Sequence, residues 1–343
     1  MLILQHRWVN KMDNKIDIVV MWVDGNDPKW LEEKNKYTPK TKKDNSASDN
    51  RFRDWNLMKY WFRGVEKFAP WVNNVYFITW GHYPKWLNID NPKLKIVKHA
   101  DYIPEELLPT FNSNVIEMHL NNIEDLEEQF ILFNDDIFLI KDTTPEDFFI
   151  NGKPCESALL GVLSSQDYND VFPHILINNC AIINKHFDKK EVLSKHRNKF
   201  IAKEYGKDVI RNILLKPFVY FSDFRDLHLA SAHLKSNFDE IWKAEPEIMY
   251  NATKSKFRSK EDVNQWLIKN WYMCKGDFVP RSPKWGRKFE LGAEQGECDY
   301  IKKQKGKVIC LNESSDDIDF EHIQKKLIEA FEAILPDKCG YEK

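Results

Sequence analysis

The 343-residue chain has no C-x-x-C pair among its six cysteines, at positions 155, 180, 274, 298, 310 and 339. A zinc ribbon or a thioredoxin-type motif is therefore unsupported. A chain of this length needs no disulfide framework, so reduced thiols in a cytosolic protein are expected. The first fifteen residues, MLILQHRWVNKMDNK, lack the roughly 7–15-residue apolar run of a signal peptide. No stretch approaches the ~18 consecutive apolar residues that would span a bilayer. Peripheral membrane contact through Lys-rich faces stays open, at the inner face if it occurs. A formal net charge of −2 offers no global argument for nucleic-acid binding. No internal repeat is visible.

What is present suits a folded protein of one or two domains. Charged residues make up 30% and the hydrophobic set 42%, so a large core is within reach. Aromatic residues are plentiful, with 12 Trp. Core packing accounts for most of them, with sugar-stacking platforms as the second reading.

Strand and helix patterns alternate. Ile16 to Val23 is a β-branched run that reads as a buried strand. It stops at the turn cluster Asp24-Gly25-Asn26-Asp27-Pro28. Residues 37–50 are polar and read as a mobile loop able to close over a ligand. Asp54 is placed to cap a helix carrying Leu57, Trp61, Val65 and Phe68, which Pro70 closes. Val75–Thr79 and Leu94–Val97 predict further strands. Asn112 or Ser113 can cap a helix with Val115, Ile116 and Leu120. Residues 185–217 are lysine-rich and helical. Helices are also expected after Ser236 and from Ser259, where Ser-Lys-Glu-Asp fits a capping box, with Gly276 as terminator. The alternation predicts a mainly parallel α/β sheet with flanking helices. Ligands bind such sheets beyond the carboxyl ends of the strands.

The run Phe130–Ile140 is apolar except for Asn134-Asp135-Asp136. Carboxylates are costly to bury unpaired, so the strand is expected to end there and present them. Two readings stand: a Mg²⁺ or Mn²⁺ site facing a diphosphate, or a solvated turn. Asp24 and Gly25 either make a turn or meet a nucleotide. Arg51 and Arg53 precede the expected helix at Asp54, and Arg258 precedes the Ser259 cap. Each is an anion site at a helix start or a solvated basic residue. Asn114 and Glu117 share a helical face, and capping explains Asn112 but not Glu117. His228 and His233 are structural, or one is a general acid or base.

These segments together resemble the Stealth family of sugar-phosphate transferases, which includes bacterial capsular polysaccharide phosphotransferases. IDIVVMWVDGNDPKW resembles the first family block. RFRDWNLMKYWFRGVEKFAPWVNN, LPTFNSNVIEMHL and FILFNDDIF resemble the second. LHLASAHLKSNFDEIWKAEPEI and KFRSKEDVNQWL resemble the third, and VICLNESSDDID with LPDKCGYEK the fourth. The resemblance implies a Rossmann-like nucleotide-sugar transferase sheet over 1–184, a helical insertion over 185–227, and a catalytic domain completed by 228–343. It implies transfer of hexose-1-phosphate, with N-acetylhexosamine-1-phosphate favoured, from a UDP-sugar to a glycan hydroxyl in capsule or exopolysaccharide synthesis, with UMP released. Glu117, Asp136, His228 and Arg258 fall on its catalytic positions, and Asp135 with Asp136 on a Mg²⁺ site. Asp24, Gly25, Arg51, Arg53, Asn112 and Asn114 are the expected substrate contacts. The third block reads His228-Leu-Ala-Ser, without the His-x-Pro-His form of many relatives, which favours His228 over His233. The fourth block has Glu313 where relatives often have Asp. A metal-dependent glycosyltransferase releasing UDP, or a non-catalytic glycan- or nucleotide-binding protein, would share much of this residue set.

Overall fold

The computed structural model describes residues 15–38, 52–165, 167–313 and 318–343. Arg51 and most of the 37–50 loop lie outside these residues. The principal sheet is built from β1 (Ile16–Met21), β2 (Val75–Thr79), β3 (Leu94–Lys98), β4 (Gln129–Phe133) and a later strand, Ser231–Leu234. Its order is β3-β2-β1-β4 and then the Ser231–Leu234 strand. The first four strands are parallel; the last runs antiparallel to β4. The expected mainly parallel α/β sheet of Rossmann-like type is what forms. The chain leaves β1 in one direction for β2 and β3, then returns to add β4 on β1's other side. That reversal opens a crevice at the carboxyl ends of β1 and β4.

Both faces of the sheet are covered, which is why β1, β2 and β4 are apolar almost throughout. Alternate side chains serve opposite cores. Ile18, Val20, Phe77, Ile131 and Phe133 pack with α2 (Met58–Phe68) on one face. Val19, Tyr76, Ile78, Phe130 and Leu132 pack on the other, with α3 (Ser113–Met118). The helix α1 (Pro28–Tyr37) follows β1 directly, started by Asp27, whose carboxylate accepts from the amides of Lys29 and Trp30.

The Phe130–Ile140 run forms two strands in different sheets. After β4 the chain turns through Asn134, Asp135 and Asp136, and β5 (Ile137–Leu139) joins a second sheet. Short strands β6 (Phe149–Ile150) and β7 (Lys153–Glu156) follow. Helix α4 (Val171–His186) leads into the lysine-rich stretch, which α5 (Lys189–Lys195), α6 (Arg197–Phe200) and α7 (Val209–Leu215) then occupy. The chain returns to the main sheet as β8 (Ser231–Leu234), then α8 (Lys235–Ala244) and α9 (Pro246–Ala252). After α10 (Trp266–Lys275) come β9 (Val279–Pro280), β10 (Gly286–Glu290), α11 (Glu297–Lys302), β11 (Val308–Asn312) and α12 (Phe320–Glu332). In the second sheet β11 lies between β10 and β5, so the fourth block packs beside the Asp135–Asp136 turn.

Two helix starts differ from expectation. Asp54 does not cap α2, which begins at Met58; its carboxylate instead accepts from the amide of Asn56. The Ser259 capping box closes a local turn onto Asp262, and the helix begins only at Trp266. Gly276 ends that helix in the left-handed conformation, at φ 76°. No helix among the described residues is long and apolar enough to cross a membrane. All six cysteines are free thiols.

Candidate functional site

A cleft of about 300 Å³ opens where β1 and β4 end. Trp22 and Val23 line it from β1, Asn134, Asp135 and Asp136 from β4, and Asn312 and Glu313 from the end of β11. A smaller chamber of about 50 Å³ adjoins it, lined by Asn114, Glu117, Gln265 and Trp266 among others. Asn134, His228 and Arg258 line both chambers and mark where they meet.

The aspartate turn is pinned to β11. The carbonyl of Asp136 accepts from the Leu311 amide at 2.8 Å. Its carboxylate Oδ2 accepts from the Cys310 thiol at 3.4 Å, while Oδ1 is buried with no partner. Asp135 is open to the cleft but walled by protein. Loss of bulk water, then the charges of Asp136 and Asp54, raise its carboxyl to about 7. Asp54 lines the same cleft, and burial raises its carboxyl too.

His228 follows the helical stretch on an unusual backbone, φ 51°, where a non-glycine residue is uncommon. Its N–H donates to Asp226 Oδ1 at 2.6 Å, and the other oxygen of Asp226 accepts from Lys269. Lys269 also pairs with Glu156 at 2.9 Å, so a buried ionic network supports the turn. The imidazole lies edge-on to Trp266. Burial lowers its pKa against the opposing pull of Asp136, which favours the neutral imidazole. His233 is fully buried in β8 and bonded to Gln265, away from the cleft.

Arg258 does not stand at a helix start. Its Nη2 donates to the Ser113 hydroxyl at 2.6 Å, and no carboxylate pairs with it among the described residues. The loop that carries it is tied to α3 through the buried Asp262. That carboxylate accepts from the side-chain amides of Asn112 at 2.7 Å and Asn114 at 2.9 Å, and from Ser259. Asn112 is fully buried and lines neither chamber, so it positions the loop rather than meeting substrate. Asn114 lines the smaller chamber while its amide holds Asp262. Glu117 is buried within reach of the Arg258 charge, and desolvation raises its carboxyl to about 7 although that charge opposes this.

Three other expected contacts take structural parts. Asp24 accepts from the Asn26 amide at 2.9 Å and is outside the cleft lining. A Cβ on Gly25 would lie 2.0 Å from the carbonyl oxygen of Phe52, so glycine is needed to let that backbone approach. Arg53 lines the cleft but is well ahead of α2 in the chain. It pairs with Glu313 at 2.8 Å and stacks on Phe320, so its charge is already partly matched. Glu313 also accepts from the indole of Trp55.

Several residues at the site escape a reading of the sequence. Asp54 and Ser113, with the chemistry of caps, line the cleft. Cys310 and Asp226, which carry no local signal, line neither chamber but hold Asp136 and His228 from behind. His99, at the end of β3, is a buried cleft residue with an unpartnered Nδ1, and burial lowers its pKa to about 4. Trp30, Phe52 and Phe111 form an aromatic wall nearby.

Among the described residues, Asp136, His228 and Cys310 bring metal-ligating atoms within 4.8 Å of one another. Burial and the Asp136 charge push the Cys310 thiol well up, so it is a poor ligand for a hard cation. The unpartnered Asp136 Oδ1 and the neighbouring Asp135 are oxygen donors of the kind Mg²⁺ or Mn²⁺ takes.

Residues 51–156 match the family described as Stealth protein CR2, conserved region 2, and residues 14–42 match Stealth protein CR1, conserved region 1. A capsular polysaccharide phosphotransferase WcwK of Streptococcus pneumoniae is 40% identical over 331 residues, 96% of this chain and 98% of that protein. The exopolysaccharide phosphotransferase cps2G of Lactiplantibacillus plantarum is 38% identical, over 96% of both chains. The receptor polysaccharide phosphotransferase WefC of Streptococcus gordonii is 36% identical, over 96% of this chain and all of that one. These alignments therefore run through the third and fourth blocks as well.

Proposed function

The chain belongs to the Stealth family, whose relatives named above are polysaccharide phosphotransferases, and on that footing we propose that it transfers hexose-1-phosphate from a UDP-sugar to a glycan hydroxyl, in capsule or exopolysaccharide synthesis. The acceptor oxygen bonds to the β-phosphorus, the bond from that phosphorus to the bridging oxygen breaks, and UMP leaves with the bridging oxygen. The observation that carries this reading is the junction of the two chambers at Asn134, His228 and Arg258. In-line phosphoryl transfer needs donor and acceptor on opposite sides of one phosphorus, and little covalent help from the protein.

Roles follow from placement. His228, neutral and lining both chambers, takes the proton of the attacking hydroxyl. Arg258, with no carboxylate partner among the described residues, meets the phosphoryl oxygens as charge shifts toward the leaving group. Glu117 backs Arg258 and tunes its field. Arg53 with Glu313 borders the larger chamber, the one roomy enough for the nucleotide-sugar donor. The aromatic wall and His99 suit a nucleobase or sugar ring, with a flat apolar face and one polar handle. Asp136 and Asp135 would hold Mg²⁺ or Mn²⁺. When bound, the ion neutralises diphosphate charge.

Asp136→Asn and His228→Ala are each expected to abolish transfer while circular dichroism and melting temperature stay near the parent's. Full turnover in either variant removes that residue from the mechanism.

A further inference from the structure

Helix α7 and the turn after it expose an apolar surface that the core does not use. Ile210, Ile213 and Leu214 face outward, with Leu214 68% exposed. Phe218, Val219 and Tyr220 follow at 56%, 74% and 67%. Leaving a large apolar side chain in water forgoes roughly 1.5–3 kcal/mol of burial each. A contiguous set on a monomer's surface therefore marks a contact site.

This exposure is built in from behind. The inner face of α7 is held by Asn212, which donates to the carbonyls of Ala158 and Phe200 and accepts from the Leu160 amide, each at 2.7 Å. The buried Lys189 donates to the carbonyls of Leu215 at 2.7 Å and Tyr220 at 3.1 Å, closing the turn beneath the apolar tip. Asn184 and Phe221 exchange two further bonds at 2.8 and 2.9 Å. The six outward side chains are thus presented on a fastened support.

Charge says what covers them. Residues 185–220 contain ten Lys and Arg against four Asp and Glu, in a chain whose net charge is −2. Arg211 and Lys216 are exposed within the apolar segment itself, and Lys203 and Lys207 are exposed on the turn that leads into α7; none of the four makes an ion pair among the described residues. Protein-binding patches are depleted in lysine. A second copy docked through this face would bring like charges together. An exposed apolar segment interleaved with and preceded by lysine and arginine is the pattern of an interfacial segment on anionic lipid. Each such cation near an anionic surface adds about 1 kcal/mol.

We propose that residues 209–220 seat the protein on an anionic bilayer, with Leu214, Phe218, Val219 and Tyr220 entering the headgroup boundary and the flanking cations on lipid phosphates. The site is independent of the transfer chemistry, so its test stands apart from that reading.

The test is flotation of the full chain with phosphatidylglycerol vesicles and with phosphatidylcholine vesicles, at low and high salt. The expected result is binding to phosphatidylglycerol that high salt weakens, and little to phosphatidylcholine. The variant Leu214→Ser/Phe218→Ser/Val219→Ser should bind at least about tenfold more weakly, since three apolar anchors are lost. Its melting temperature and its turnover on a water-soluble acceptor should match the parent's. No flotation of the parent with phosphatidylglycerol would overturn the proposal, as would equal flotation of the variant. A parent that is a dimer by light scattering, becomes a monomer in the variant and binds no vesicle would assign the patch to a second copy instead.

Discussion

The backbone N–H of His228 lies 2.6 Å from Oδ1 of Asp226, and that bond secures a histidine held at φ 51°. The strain is local, but its support is distant in the chain. Asp226 is held by Lys269, and Lys269 by Glu156. Strained residues persist where surrounding structure over-determines them, and they cluster at working sites. Asp226→Ala should therefore let the imidazole drift. A displacement of about 1 Å costs on the order of 10²-fold in rate, so kcat should fall by that scale while KM for the donor stays close to the parent's. Steady-state kinetics would check the split; an equal loss in both terms would make Asp226 merely structural.

The Lys269 network makes a separate stability prediction. Burial alone would lower the Lys269 pKa, yet Asp226 and Glu156 together hold it raised. Lys269→Met leaves the buried Asp226 carboxylate without its cation and Glu156 with only Arg281, 3.9 Å away, and should cost about 3–5 kcal/mol in urea unfolding.

Glu117 ties pH to stability. Its folded pKa is about 7 against an ordinary 4.5, because the folded protein strips water from the carboxylate. A raised folded pKa means that the native state holds its proton longer than the unfolded chain. The favourable contribution is thus fully present below pH 4.5 and lost as pH rises through 7. The loss is on the order of 3 kcal/mol by pH 8. Glu117→Gln should remove most of this slope and melt higher than the parent at pH 8. Unfolding curves from pH 4 to 8 would show it, and parallel slopes in the two proteins would refute it.

Arg258 is aimed by a hydroxyl rather than a carboxylate. Ser113→Ala should loosen it and lower kcat about tenfold, the value of one bond to a charged group. Arg258→Lys keeps the charge but loses the fork geometry, and kcat should fall further, by roughly 10²-fold or more. The ranking of the two variants in single-turnover transfer is the check.

If oxygen donors at Asp135 and Asp136 hold a hard cation, EDTA should abolish transfer and Mg²⁺ or Mn²⁺ restore it. Undiminished turnover after exhaustive chelation would exclude the metal.

Much of this site could be read from the chain because its carriers sit at strand ends. Ile16–Met21 is a β-branched run, and two carboxylates after an apolar strand announce a place where the strand must stop. The limits are equally physical. Asp54 has a cap residue's chemistry, and only the late start of α2 at Met58 shows that it lines the cleft instead. Asn112 and Asn114 looked like contacts for a ligand, but their amides point to Asp262, some 148–150 positions away. Cys310 meets Asp136 across 174 positions through a second sheet that periodicity does not reveal.

The most direct test incubates the protein with a UDP-sugar, a glycan acceptor and Mg²⁺, and identifies both the nucleotide released and the phosphorus in the product. Attack at the β-phosphorus predicts UMP and a phosphodiester resonance in the ³¹P spectrum of the glycan. UDP with a phosphorus-free product would place the attack at the sugar's anomeric carbon and contradict the account.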